Sequence, residues 1–454
     1  LAPWGEAGPP GRDWAPDILG PGFSSRTIEL LDDAEGECVA TLVRATPTTD
    51  ARVTVLYLHG RNDYFFQTEM ARRLSAAGAA FYALDLRKYG RSLRPHQTIG
   101  YADDLSVYDE EIGQAIELIR EERDDDPLVL MGHSTGGLIA TLWAHRHPGV
   151  LAGLILNSAW LEMQSMSAWR GAMAPVIGRI ASRSPMWEVP TGGSGLYGRS
   201  LAGRASSGLP IPAGLAADDP SVAGWPIAHE WKRPESYPVP ASWLEAIMAG
   251  HETIEKDVAL ECPVLSMVST SAYFEEEWCE RVFTSDTVLD PTVIAQRSLG
   301  LSDLVTIARF PGKHDLVLSD APVREAVYAA MRGWLDAFVV RYAGLLSGIT
   351  HMAVTRLDIL DQFDEIKMCV GYRYKNAPLN EMPASLKVLA EVEPVYETFK
   401  GWKQDITGVR SYEALPPEAR VYLERLAEYT GIAQGIVSVG PNRDQTIVLE
   451  RNLF

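Results

Sequence analysis

Residues Gly132-His133-Ser134-Thr135-Gly136 fit the pattern G-x-S-x-G. They stand between an apolar run, "PLVLMGH", and a helix-forming run, "TGGLIATLWAHRHP", which Pro148 stops. A turn this tight brings the residues two places either side of Ser134 against neighbouring backbone, so glycine is needed there and the serine hydroxyl is raised out of the chain. Glycine-rich connections with idle serines are common, and the five residues alone carry little. The strand-type run before them, the helix after them and "LHG" upstream give the pattern its weight, and they point to a nucleophile.

A serine hydroxyl attacks poorly near neutral pH, so it needs a base and a carboxylate to orient that base. On a strand–turn–helix serine site both follow downstream, the acid first. The base candidate is His314 in "VTIARFPGKHDLVLS", on a loop after a strand over 305–310 and before the helix that opens "APVREAV". A solvated loop histidine is the bland reading. Among the other eight histidines, His59 and His133 lie inside motifs where backbone shape matters, His145 and His147 lie near a helix end, and the rest lack a strand-end setting. The acid should follow the strand "CPVLSMVS". Asp286 in "TSDTVLDP" is preferred, with Asp290 and Asp303 as alternatives. Asp290 before Pro291 also reads as a helix N-cap, which leaves Asp286 for His314. Charge developing on a substrate oxygen needs preorganised backbone donors. The amide of Thr135 is one, and the loop "HGRNDYFF" offers the other at Arg61.

The elements that must hold these groups alternate. "RVTVLYLHG", "AAFYALDL", "PLVLMGH" and "LAGLILN" are short, nearly all-apolar strands. "TEMARRLSAAG" and "DDLSVYDEEIGQAIELIREE" are amphipathic helices, the second with Leu105, Tyr108, Ile112, Ile116 and Ile119 on one stripe. Strands that are apolar on both faces and separated by helices predict an α/β architecture with a mostly parallel, doubly covered sheet.

"YLHG", "ALDLRKYGRS", "GHSTGG" and "GKHDLVLS" together make residues 1–340 resemble an α/β-hydrolase of the serine type that includes monoacylglycerol lipases and carboxylesterases. The resemblance implies a serine esterase or lipase with the triad Ser134, Asp286 and His314, a small-molecule ester as substrate and neither cofactor nor metal. It also implies a helical cap inserted over about 159–255, where the strand–helix alternation stops. Trp160, Met163, Met166 and Trp169 are the expected pocket-lining residues of that cap, with simple helix packing as the alternative. Within it "GSGLYGRS" (193–200) falls one residue short of a phosphate-binding loop, has Arg199 in place of lysine and has no apolar strand leading in. Nucleotide binding is not expected there.

From Gly333 the chain is similar to another family. "SGIT", "RLDILDQFDEIKMCVGYRYK", "MPASL", "EPVYETFKGWKQDITGVRSYEALPPEARVYLERLAEYTGI" and "VSVGPNRDQTIVLERNLF" resemble the C-terminal segment of adenylosuccinate synthetase, an α/β fragment of that fold. The family joins inosine monophosphate to aspartate using GTP. The resemblance assigns a guanine pocket to Asp358, Ser438, Gly440 and Pro441, with Arg356 standing where that family usually has lysine. The family's phosphate loop and catalytic residues belong to its N-terminal portion, which a hydrolase replaces here, so the tail is expected to be inactive alone, a synthetase-derived fusion of residues 341–454. "GWLDA" (333–337) suits both parts. The tail is expected to be loosely folded, with self-association through unpaired strand edges as one consequence; docking on the hydrolase or on a second chain is the alternative. A purine-nucleotide-binding protein and a catalytically dead hydrolase acting as a binding module are the competing readings.

Composition narrows the setting. The 454 residues carry a net charge of −19. Residues 341–454 hold 13 basic and 15 acidic side chains, which leaves −17 for the rest. A field of that sign disfavours nucleic acid and anionic lipid as partners. No apolar run approaches membrane-spanning length, so no integral membrane contact is expected. Cys38, Cys262, Cys279 and Cys369 are scattered, which suits reduced thiols in a cytoplasm. The opening "LAPWGEAGPPGRDWAPDILG" has no signal-peptide pattern and no initiator Met, so a trimmed or partial chain is expected.

Overall fold

The computed structural model describes residues 13–46, 51–123, 126–163, 166–190, 195–346, 351–354, 357–374, 377–379, 393–430, 433–440 and 445–449. The chain divides into two compact units, Leu1–Leu335 and Asp336–Phe454.

The first unit is built on nine strands: β1 (Ala15–Pro16), β2 (Phe23–Glu29), β3 (Val39–Ala45), β4 (Val53–Leu58), β5 (Ala79–Asp85), β6 (Leu128–His133), β7 (Gly153–Asn157), β10 (Val264–Ser269) and β11 (Val305–Phe310). Their spatial order is β1-β2-β3-β5-β4-β6-β7-β10-β11. The first three pair antiparallel, and β3 lies antiparallel on β5. From β5 to β11 every pairing is parallel. This is the mostly parallel sheet that the alternation predicts. Every residue of β4, β5, β6, β7 and β10 is buried. Helices α1 (Thr68–Ala76), α2 (Tyr108–Glu122) and α3 (Thr135–Arg146) make the connections between the central strands. On α2 the buried set includes Tyr108, Ile112, Ile116 and Ile119 of the stripe read from the sequence; its first member, Leu105, is buried in the 3-10 turn just before the helix.

Between β7 and β10 the alternation gives way to α4 (Met166–Ala181), a two-residue ribbon of β8 (Glu188–Val189) with β9 (Val239–Pro240), short helices α5 (Leu196–Ser200) and α6 (Pro220–Ala223), and α7 (Ala241–Lys256). After β10 come α8 (Arg281–Thr284) and α9 (Pro291–Ser298), then β11 and the long helix α10 (Ala321–Leu346). That last helix runs through "GWLDA" without a break and nine residues beyond it.

Parallel strands end on a common side, and the turns after β4, β6, β10 and β11 all leave from it. The loop after β4 is fixed by Asp85 at the end of β5. Its carboxylate, fully buried, accepts from the amides of Phe65 (2.8 Å) and Arg91 (3.0 Å) and from the Arg91 guanidinium (2.7 Å). Arg91 in turn reaches Asp17. These contacts account for the "ALDLRKYGRS" stretch as a structural lock under the site.

The second unit has two three-stranded sheets. One contains β12 (His351–Val354), β16 (Ala433–Ser438) and β17 (Thr446–Val448); the other contains β13 (Glu365–Tyr374), β14 (Ala377–Leu379) and β15 (Glu393–Lys400). Helix α11 (Pro417–Thr430) is also among its described elements. Leu357, Ile366, Phe399, Trp402, Ile406, Leu415, Leu423, Val437 and Ile447 are among the buried side chains of a core of its own. The expected loose tail is therefore corrected: the segment buries an apolar cluster drawn from strand, turn and helix alike. Among the described residues no helix is long and apolar enough to cross a membrane.

Candidate active site

Ser134 occupies the turn between β6 and α3 at φ 50°, ψ −120°, a conformation that a residue with a Cβ rarely adopts. The glycines around it are there for steric reasons. A Cβ on Gly132 would lie 2.4 Å from the Gly136 carbonyl oxygen, and one on Gly136 would lie 2.2 Å from that of His59. The strained serine is held by four backbone bonds. Its amide donates to the Asn157 carbonyl (3.1 Å), and its own carbonyl accepts from Gly137 (3.0 Å), Leu138 (3.3 Å) and Trp160 (2.9 Å).

The Ser134 hydroxyl lies 3.0 Å from His314 Nε2, and His314 Nδ1 lies 2.9 Å from Asp286 Oδ2. A carboxylate can only accept, so Nδ1 carries the proton and Nε2 is left to accept from the serine. Asp286 is wholly buried, and its other oxygen accepts from the amides of Val288 and Leu289, both at 2.8 Å. Asp290 instead caps α9, accepting from Thr292 N at 2.8 Å. Asp303 is exposed and precedes β11, so the length of that strand separates it from the end where His314 stands.

Thr135 is the first residue of α3, where a helix N–H has no intrahelical acceptor. The Arg61 amide belongs to the Gly60–Arg61 peptide, and Gly60 packs so close that a Cβ there would sit 3.1 Å from Ser134 Cβ. Leu86 N donates to His59 Nε2 (3.1 Å), which leaves the proton on Nδ1, and that nitrogen donates to Gly60 O (2.8 Å). The peptide plane carrying the Arg61 N–H is thus set from its carbonyl side.

Several neighbours of this triad have no sequence signature. Asn157 joins the two ends of the site: its carbonyl accepts from Ser134 N and from His133 Nδ1 (3.0 Å), while its side-chain amide donates to Asp315 (2.7 Å). His133 is buried, and that burial holds its pKa below the ordinary histidine value. Tyr197, within the discarded phosphate-loop look-alike, meets the His314 ring edge-on at 5.5 Å. The described part of that stretch forms helix α5, which brings Tyr197 against His314. Asp63, His133 and Asp315 bring donor atoms within 4.8 Å of one another. The Lys232 ammonium already takes Asp63 (2.9 Å), and the side-chain amides of Asn157 and Gln67 take Asp315.

Among the expected pocket residues, Trp160 and Met163 are half-buried, and Trp160 packs against Trp243 and His251. Met166 and Trp169 lie on α4, but their side chains fall outside the described residues. In the second unit Asp358 sits in the turn Leu357–Gln362, and Ser438 Oγ donates to Gly440 O (2.7 Å). Arg356 and Pro441 lie outside the described residues.

Lys313, next to His314, is completely buried, donates to Ser200 O (3.2 Å) and lies 4.8 Å from the centre of the Phe283 ring. Burial pushes its pKa down from 10.5 to about 7. A base with a lowered folded pKa destabilises the fold when charged. The penalty is absent above the unfolded value of 10.5, grows as pH falls and is complete below about 7. Lys313→Met should therefore raise the melting temperature by a few degrees at pH 6–7, with the gain vanishing toward pH 10. The limit is about 5 kcal/mol, less about 1 kcal/mol for the lost hydrogen bond. Thermal melts across that pH range check it; a gain that is constant with pH would assign Lys313 a purely steric role.

Residues 49–270 match the family model described as serine aminopeptidase, S33, and residues 330–447 match that of adenylosuccinate synthetase. Over 118 residues the chain is 52% identical to adenylosuccinate synthetase of Desulforamulus reducens, covering 26% of this chain and 28% of that protein. The chain thus spans little more than a quarter of the length of the synthetases it matches. A carboxyl esterase from Bacillus coagulans in complex with glycerol matches with a TM-score of 0.50 at 17% identity, over 69% of this chain and 99% of that one. A monoglyceride lipase from Saccharomyces cerevisiae matches over 74% of this chain and 99% of that one, at 18% identity and a TM-score of 0.48. The first unit has the α/β-hydrolase fold and is a hydrolase-type domain; the C-terminal segment is similar to adenylosuccinate synthetase.

Proposed function

We propose that the first unit cleaves carboxylic esters through an acyl-enzyme on Ser134. The observation that supports this most is the unbroken hydrogen-bonded chain from Ser134 Oγ through His314 to Asp286. His314 Nε2 takes the hydroxyl proton as the oxygen attacks the ester carbon, and the amides of Thr135 and Arg61 receive the charge on the carbonyl oxygen. His314 then returns the proton to the leaving alcohol. Water repeats the sequence on the acyl group. Asp286 keeps the imidazole in the accepting tautomer and balances its charge while it holds the proton. The helices between β7 and β10 act as a cap, with Trp160 among the side chains that line the acyl path. The scattered cysteines, of which Cys38, Cys262 and Cys279 are unbridged, and the net charge of −19 favour a cytoplasmic setting.

The second unit is a synthetase-derived tail without activity of its own, because the matched segment lacks most of that enzyme. Turnover of p-nitrophenyl esters of graded acyl length tests the first reading. Aminoacyl p-nitroanilides and a guanine-nucleotide titration run alongside. Ester turnover lost in Ser134→Ala supports it. Nucleotide binding without ester turnover favours the purine-binding alternative, and neither favours a dead hydrolase. The triad and both oxyanion donors belong to the first unit, so truncation after residue 340 should leave kcat/KM within about threefold. An inactive but folded truncation would make the tail part of the enzyme.

A further inference from the structure

Four consecutive residues after β4 each bond to one stretch of the insertion, and in reversed order. Arg61 reaches the carbonyls of Tyr237 (2.8 Å) and Pro238 (2.6 Å) and the Ser236 hydroxyl (3.2 Å). Its guanidinium also lies over the rings of Tyr237 (4.3 Å) and Trp243 (4.7 Å). Asn62 exchanges two side-chain bonds with the Arg233 backbone (2.7 and 2.9 Å) and gives its amide to the Tyr237 hydroxyl (2.8 Å). Asp63 pairs with Lys232 at 2.9 Å, both buried. The Tyr64 hydroxyl accepts from Ala228 N (2.9 Å), and its ring meets Trp231 edge-on at 5.1 Å.

We propose that residues 228–238 of the insertion form a clasp that aligns the Arg61 oxyanion donor, with Lys232 and Asn62 as positioning residues. This rests on the ester-cleavage reading above. The loop 61–64 has no regular structure and carries a left-handed residue, Asn62 at φ 53°, so its shape must come from outside partners. His59 sets the carbonyl side of the Gly60–Arg61 peptide, and the clasp sets the side that follows it. Most of the partners are backbone groups, which no substitution removes. Besides the Ser236 and Tyr237 hydroxyls, the exception is Lys232. It neutralises Asp63, whose second oxygen, also buried, has no hydrogen-bond partner in the structure. The oxyanion donor is then in register only while the insertion is seated, so a segment that touches neither triad nor scissile bond governs the chemical step. A donor displaced by about 1 Å loses on the order of a hundredfold in rate, which bounds what the clasp contributes.

The full-length chain carrying Lys232→Met, Asn62→Gly or the double change Asp63→Asn/Lys232→Met tests this. Glycine accepts the left-handed φ at 62 and deletes only the two bonds to Arg233, so that variant should fold even where Lys232→Met does not. The double change removes both buried charges together, which restores stability but not the clasp. With p-nitrophenyl butyrate, kcat should fall about 10- to 100-fold in all three while KM moves less than threefold. The inhibition constant of a trifluoromethyl ketone, which places an oxyanion in the same hole, should rise by the factor by which kcat/KM falls. Full recovery of kcat with stability in the double variant would reduce Lys232 to a structural ion pair and overturn the proposal. So would Asn62→Gly with kcat within twofold of the unaltered chain. An unaltered chain with no Ser134-dependent ester turnover would instead bring down the reading beneath it.

Discussion

Ser134→Ala should remove ester turnover by a factor on the order of 10⁴–10⁶ in kcat, and with it all covalent labelling by a fluorophosphonate. Triad members act as a unit, so losing the attacking oxygen forfeits the work of His314 and Asp286 as well. The residual rate is what the oxyanion donors and substrate binding provide to water alone. Stability should hardly change, because alanine keeps the Cβ at φ 50° and therefore keeps the strain. Ser134→Gly separates the two properties. It is equally inactive, but it releases a backbone conformation that costs about 1–3 kcal/mol and should melt higher than the parent. A chain in which Ser134→Ala still labels at another serine has its nucleophile elsewhere.

The contrast between Ser134 and its supports shows which parts of this molecule a sequence can reveal. The strand–turn–helix around the serine is written within a dozen residues, because the crowding that demands Gly132 and Gly136 is local. The cap role of Asp290 was legible for the same reason: Pro291 at the first helical position marks the residue before it as the cap, and its carboxylate accepts from Thr292 N. The clasp was not legible. Its members lie about 170 residues apart, and most of the acceptors are carbonyls, which every residue has. Tyr197 was hidden differently. It lies in a glycine-rich stretch whose plainest reading is a failed phosphate loop, and only the folded chain brings it to the base. In the second unit the β-type runs were readable one by one. Its core was not, because Leu357, Phe399, Leu423 and Ile447 come from four separate elements and no periodicity links them.

Asp286→Asn should lower kcat by roughly 10³–10⁴ while leaving KM close to its starting value. The carboxylate uses one oxygen for two backbone amides, Val288 and Leu289, and the other for His314 Nδ1. An asparagine cannot satisfy both sides in the same way. If its oxygen keeps the two amides, its NH₂ faces Nδ1, and the imidazole moves its proton to Nε2, where it can no longer accept from Ser134. If the amide flips, its NH₂ confronts two N–H donors in a fully buried position, and leaving buried donors unpaired costs about 1–3 kcal/mol of stability. The first arrangement disables the base. The second keeps its tautomer but is costly in the folded chain and, being neutral, no longer balances the imidazolium charge. Neither touches substrate, which is why kcat should carry the loss. Asp290→Asn is the matched control. Asparagine caps a helix as well as aspartate does, so α9 should keep its start and kcat should stay within about twofold. Steady-state kinetics on the two variants, with circular dichroism to confirm that both fold, decide the matter. A severe loss at Asp290 with a mild one at Asp286 would move the acid four residues along the chain and require the loop to close on His314 through Asp290 in place of Asp286.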